Sequence, residues 1–209
     1  MLDYLVVIVL GYLLGNIQTA YILGKFIKQV DIRTMGHGNS GTSNAVVSLG
    51  WRFGIIVGII DILKGVLSIL LVKWLFNVAF DAEGALLLYL NGFSVILGHN
   101  FPFFMSFKGG KGTATLVGVL WGLHPLLGFG SMIVVLLFAL LTDYIVMGTM
   151  ALLIYFVAVT VYLDLGIGAV SIAFVIAALS IKMHWPNFIR ISKGQESRVR
   201  KVMRKRSDT

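Results

Sequence analysis

The 209-residue sequence has no cysteine, only three prolines and only 12% charged residues. Without cysteine there is no disulfide-stapled scaffold. Soluble domains carry about 25% charged residues, so this chain lacks the polar shell that a soluble globule of its size needs. A content of 58% hydrophobic residues equally excludes a disordered chain. Acidic groups are scarcest, nine against 17 basic ones. With a mean hydropathy of +0.93, the composition is that of an integral membrane protein.

The net charge of +8 does not point to nucleic acid. Nine of the 17 Lys and Arg residues lie between Lys182 and Arg206, and most others fall in two short polar segments. No groove-reading or base-stacking motif accompanies them. Basic charge gathered beside apolar spans follows the positive-inside rule instead.

Leu2 to Gly24 is apolar and has no basic residue until Lys25, so it reads as a span rather than a signal peptide, with its N-terminus outside. Phe53 to Phe76 and Ala85 to Phe101 are near the ~20 residues that cross a bilayer. Gly112 to Leu141 is 30 residues long, about 45 Å as helix, too long for one crossing and interrupted at His124-Pro125. A turn there makes two crossings and leaves the basic tail in the cytoplasm. Tyr144 to Tyr162 and Gly166 to Ile181 supply the last two spans. The expectation is an all-α polytopic membrane protein of about seven transmembrane helices, forming one integral membrane domain over 1–209, with 182–209 a basic cytoplasmic tail. Asp81 and Glu83 on the outer side, and Trp51, Trp74, Trp121 and Trp185 at span ends, agree with this orientation.

Three polar segments then reach the cytoplasmic side. In Asp31 to Asn44, Gly36, Gly38 and Gly41 permit sharp backbone turns, and Asn39, Ser40, Thr42, Ser43 and Asn44 supply neutral hydrogen-bonding groups. Such a loop suits a phosphate where a helix N-terminus follows; a flexible connector is the other reading. In Gly98 to Thr115, Lys108 and Lys111 flank Gly109 and Gly110, and the fourth helix begins just after Gly112. That is either a phosphate cradle or a topology-setting loop. It is not a P-loop, because Gly112 follows Lys111 where Ser or Thr is required. The third segment carries His184, Asn187, Arg190 and Glu196, and taken alone reads as an amphipathic tail on the headgroups. Asp61 and Lys64, three apart in the second span, are expected to pair and to brace the polar loops. His99 lies beside the Lys-rich loop, in reach of a substrate. No cluster has metal-ligand spacing, and no Ser-His-Asp grouping is present. Neither a metal nor a cofactor is expected.

Gly-Tyr-Leu-Leu-Gly-Asn at 11–16, Asp-x-x-Lys-Gly at 61–65, and Gly-His-x-x-Pro followed by Phe-Lys-Gly-Gly-Lys-Gly-x-Ala-Thr across 98–115 together resemble the bacterial acyl-phosphate:glycerol-3-phosphate acyltransferases, nearly end to end. The resemblance implies a seven-helix protein of the bacterial cell membrane with its site facing the cytoplasm. It implies transfer of a fatty acyl group from acyl-phosphate to the sn-1 hydroxyl of glycerol 3-phosphate, giving lysophosphatidic acid. By position, Gly36 to Asn44 (with Gly38, Asn39, Gly41 and Thr42), His99, Lys108 and Gly109 to Gly112 would bind substrate. Lys111, His184 and Asn187 would be catalytic, with Glu196 in support and the acyl chain between helices; His37, which the family pattern does not supply, is a further candidate as base.

The chain departs from the family pattern at His37, where Ser is usual, at Val47, where Arg is usual, and at Met183 and Trp185, which flank His184 in place of two Arg. These departures leave two alternatives: a weak or inactive homologue binding a phosphorylated metabolite or lipid, and a small transporter of a phosphorylated solute. The transporter is disfavoured by the lack of internal repeats and of mid-membrane polar motifs.

Overall fold

The computed structural model describes residues 1–204; residues 205–209, the end of the basic tail, lie outside the described residues. The described chain is all helix and loop, with no strand. In order come α1 (Leu2–Gly15), α2 (Thr19–Lys28), α3 (Thr42–Leu49), α4 (Trp51–Phe76), α5 (Ala85–Asn100), α6 (Thr113–Leu123), α7 (Pro125–Thr142), α8 (Ile145–Tyr162), α9 (Gly166–Ser192) and α10 (Val199–Arg204). Five helical stretches are long and apolar enough to cross a membrane: Leu2–Lys28 taken together, α4, α7, α8 and α9. Helices α5 and α6 are shorter.

The first apolar run is not one continuous helix. It breaks at Asn16-Ile17-Gln18, where polar side chains satisfy the freed backbone. Asn16 Nδ2 donates to the Tyr12 carbonyl at 2.6 Å, and Asn16 Oδ1 accepts from the Phe103 amide at 3.0 Å. Gln18 Nε2 donates to the His99 carbonyl at 2.9 Å, while Gln18 Oε1 accepts from Ser40 Oγ at 2.6 Å. The break thereby ties α1 to both polar loops.

The 30-residue apolar run does turn at His124-Pro125. Proline at the first position of α7 suits a helix start, and His124 Nδ1 caps it by accepting from the Leu126 amide at 3.2 Å. Trp121 Nε1 reaches Met132 Sδ at 3.3 Å across the hairpin, so α6 and α7 run antiparallel.

The last long helix, α9, is longer than hydropathy suggests. It continues through Pro186 to Ser192, so His184, Asn187 and Arg190, at three-residue intervals, share one side of a helix.

Packing between helices depends on small residues, as it must where lipid supplies no hydrophobic drive. Gly15 lies on the Val95 carbonyl and Gly98 on the Tyr12 carbonyl, fastening α1 to α5. Gly65 and Gly118 fasten α4 to α6 in the same way. Leu88, Leu120, Leu152, Phe156 and Ile176 join α5, α6, α8 and α9 in the central core. Large apolar side chains such as Leu126, Ile154 and Ile167 stay exposed on the flanks, where hydrocarbon would cover them.

Candidate functional site

All three polar segments meet at one end of the bundle, around a cavity of about 430 Å³. Asp61 lines this cavity and is paired with Lys64, which does not line it. One turn apart on α4, they form an ion pair of 2.9 Å with both side chains almost fully buried. Lys64 Nζ also donates to the Ile17 carbonyl at 2.8 Å, in the break between α1 and α2, and to His99 Nδ1 at 2.7 Å. With Nδ1 accepting, neutral His99 carries its proton on Nε2, which lies against Gly110. Asp61 accepts from Thr19 Oγ1 at 3.1 Å and from Thr42 Oγ1 at 3.4 Å. A single buried pair therefore holds the helix break, the first loop and the underside of the glycine-rich loop. His99 is buried at 3% exposure and supports that loop from below.

The first loop is folded around Asn44. Its Nδ2 donates to the carbonyls of Ile32, Met35 and Asn39, and its Oδ1 accepts from the His37 amide at 2.6 Å. Gly36 sits with φ +54° directly on this side chain, where a Cβ would collide with it. Helix α3 begins at Thr42, and its first-turn amides, which no intrahelical carbonyl can accept from, border the cavity with Asn39 and Gly41. In the second loop the Gly109 and Gly110 amides are already committed, to the Asn100 and His99 carbonyls at 3.0 Å each. Gly112, at φ +85°, turns the chain into α6. Lys111 and Gly112 face the cavity.

On α9, His184 Nδ1 donates to the Ser180 carbonyl at 2.8 Å, which leaves Nε2 as the ring's acceptor. Lys111 Nζ donates to Asn187 Oδ1. Asn187 Nδ2 donates to Glu196 Oε1 at 2.9 Å, and Arg190 Nε to Glu196 Oε2 at 2.6 Å. Arg190 Nη2 is buried with no hydrogen-bond partner among the described residues. His37 Nε2 pairs with Ser197 Oγ at 3.0 Å.

The electrostatics follow from this crowding. Burial first, and then the nearby Arg190 charge, lower the Lys111 ammonium to a pKa of about 8, with Glu196 opposing the shift. Burial likewise pushes His37 below its ordinary value, helped by Arg190 and Lys111 and opposed by Glu196, so it is neutral at pH 7. The polar end thus offers the Lys111 and Arg190 cations and the start of α3 for an anion. The rest of the cavity is apolar: Ile55, Ile59 and Ile62 on α4, Val117 on α6, and Met132, Val135 and Leu136 on α7.

Of the residues expected from the sequence, His37, Asn39, Gly41, Thr42, Asn44, His99, Lys111, Gly112, His184, Asn187 and Glu196 all border this cavity. Lys108 is exposed and stands outside it, and Gly36, Gly38, Gly109 and Gly110 shape the loops without lining it. Sequence reasoning assigned no site role to Arg190 or Ser197, and gave Asp61 only the bracing of the polar loops. The three-residue rhythm 184, 187, 190 was the available signal for Arg190. The departures at 47, 183 and 185 do not act together either. Val47 faces the cavity, whereas Met183 and Trp185, on the flanks of α9, do not line it. One of the three missing guanidinium positions is at the cavity wall, and Arg190 brings a guanidinium there from α9.

Residues 5–194 match the family described as glycerol-3-phosphate acyltransferase. The glycerol-3-phosphate acyltransferase of Thermoanaerobacter pseudethanolicus is 34% identical over 191 residues, 91% of this chain and 93% of the relative. That of Oceanobacillus iheyensis is 40% identical over 149 residues, 69% of this chain and 70% of the relative. Two crystal structures of PlsY (YgiH), an integral membrane glycerol 3-phosphate acyltransferase, superpose with TM-scores of 0.83 and 0.80 at 32% and 30% identity. One is its glycerol 3-phosphate form and the other its lysophosphatidic acid form; each alignment covers 93% of this chain and 94% of PlsY.

Proposed function

The chain belongs to the glycerol-3-phosphate acyltransferase family and is an integral membrane acyltransferase acting on glycerol 3-phosphate; from that premise we propose that it takes the acyl group from acyl-phosphate and delivers it to the sn-1 hydroxyl at the cavity between α3, α4, α6 and α9. The observation that carries this reading is the division of one cavity into a cationic end and an apolar end. An acyl-phosphate is divided in the same way.

Lys111, the Arg190 Nη2 group, Asn39 and the first amides of α3 hold the phosphates, and the chain lies along Ile55, Ile59, Val135 and Leu136. Asn187 and His184 orient the glycerol hydroxyls. The hydroxyl oxygen bonds to the acyl carbon, the bond from that carbon to the phosphate oxygen breaks, and its electron pair leaves with the phosphate. His184 Nε2 takes the hydroxyl proton, with neutral His37 a second acceptor at the mouth, and the proton ends on the departing phosphate. An activated anhydride needs no covalent enzyme intermediate, so catalysis rests on holding two substrates in register and on cations facing the charge that develops. Purified protein in lipid bicelles should form lysophosphatidate from acyl-phosphate and glycerol 3-phosphate, and not from acyl-CoA. Failure with acyl-phosphate and success with the thioester would overturn the donor assignment.

We also infer that the membrane is crossed seven times, with α5 and α6 as short spans, the N-terminus outside and the site in the cytoplasm. The excess of Lys and Arg at the cavity end supports this. The natural chain is free of cysteine, so Lys108→Cys should react with an impermeant thiol reagent only in inverted vesicles and Glu83→Cys only in right-side-out cells. The opposite pattern would reverse the topology.

A further inference from the structure

Beyond α9 the chain turns back on itself. Gly194, at φ +67°, and the Gln195 amide, which donates to the Arg190 carbonyl at 2.8 Å, send residues 195–203 across the cavity mouth. Along this strap the half-buried residues are Glu196, Ser197, Val199 and Val202, and all four line the cavity. Arg198, Arg200 and Lys201 are exposed, and of these three only Arg198 also borders the cavity. The strap is therefore a roof with a polar section over the cations and an apolar section over the hydrophobic half.

Its near end is held by substrate-facing groups, Glu196 by Asn187 and Arg190, and Ser197 by His37. Its far end is held by a residue the chemistry does not use. Asp143, at the turn between α7 and α8, accepts from the Val199 amide through its carbonyl at 3.0 Å and from the Arg200 amide through Oδ1 at 2.8 Å. Arg200 Nη2 donates to the Leu140 carbonyl at 3.0 Å beside it. No other side chain accepts from the backbone of 198–203 among the described residues.

We propose that Asp143 is the positioning residue of the site: it latches the C-terminal strap, and so keeps Glu196 and Ser197 in contact with Arg190, Asn187 and His37. The inference rests on the reading of the cavity as the glycerol 3-phosphate site. With the latch released, the strap divides its time between closed and open states. Substrate that binds only the closed state then binds more weakly in proportion to the closed fraction, while the closed complex reacts as before.

Three substitutions separate the latch from the backbone. Asp143 has φ +68°, which glycine accepts freely and asparagine tolerates. Asp143→Gly removes the side-chain acceptor without strain, Asp143→Asn keeps both the acceptor and the conformation, and Asp143→Ala removes one and strains the other. The Gly and Ala variants should raise KM for glycerol 3-phosphate roughly tenfold, the scale of one lost charge-assisted hydrogen bond, with kcat held within about twofold. The Asn variant should match the natural protein. Independently of activity, Val202→Cys should react with a thiol reagent roughly tenfold faster in the Asp143→Gly background.

A KM defect in Ala alone would assign the effect to backbone strain and overturn the latch. Unchanged Val202→Cys reactivity in the Gly background would overturn it as well. If that reactivity rises while the natural protein consumes no glycerol 3-phosphate, the latch stands and the reading of the cavity falls.

Discussion

Replacing Lys111 by alanine should lower acyl transfer by roughly 10²–10³-fold, the usual loss when one preorganised group facing developing charge is removed. The side chain donates to Asn187 and faces the cavity beside Arg190. Lys108, two glycines away, is exposed and outside the cavity, so Lys108→Ala should leave turnover near normal. The pair makes the test internal: equal losses would show that general positive charge, not a placed ammonium, is what matters. The pH dependence follows from the same residue. With a pKa of about 8, the ammonium is charged below pH 8 and loses its proton as pH rises through that value, whereas a phosphate monoester with its second pKa near 6 stays dianionic throughout. Affinity for the phosphate should thus fall above about pH 8. The fall belongs to the free enzyme, so it appears in kcat/KM; bound dianion holds the proton on Lys111, and kcat should change less. Lys111→Ala should abolish this alkaline limb. A limb that persists in the variant would transfer the titration to another group.

Much of this was legible in the sequence, and the parts that were not share a physical reason. The all-helical fold followed from hydropathy, because the long apolar runs are helical, and the turn at His124-Pro125 followed from length together with a helix-starting proline. The break at residues 16–18 was hidden, since Asn16 and Gln18 look like tolerable polar groups inside an apolar run. The hydrogen bonds that tie them to the loops are to Phe103, His99 and Ser40, partners more than twenty residues away. Pro186 was misleading in the other direction: local chemistry weakens a helix there, yet α9 continues and delivers Arg190 to the cavity. Lys108 and Lys111 are equivalent by composition. Only the fold of Gly109 and Gly110 against the end of α5 turns one inward and the other outward.

The buried Asp61–Lys64 pair gives the second large effect, on the fold rather than the chemistry. Asp61→Ala would leave the Lys64 ammonium buried, with only the Ile17 and Gly15 carbonyls and His99 Nδ1 around it. Breaking a buried pair from one side typically costs about 3–5 kcal/mol, so the variant should unfold at markedly lower temperature in detergent. Thr19 and Thr42 would lose their acceptor at the same time, loosening α2 and the first turn of α3, and activity should fall even where the protein remains folded. The double variant Asp61→Leu with Lys64→Met distinguishes the two contributions. It removes both charges and keeps similar volume, an exchange that is often neutral or stabilising, so thermal stability should recover relative to Asp61→Ala. Activity should not recover, because Thr42 still lacks its carboxylate and His99, beneath Gly110, has lost the ammonium that fixes its ring. Recovery of both would reduce the pair to a tolerated burial; recovery of stability alone would show that these charges are retained for the loops they hold over the cavity.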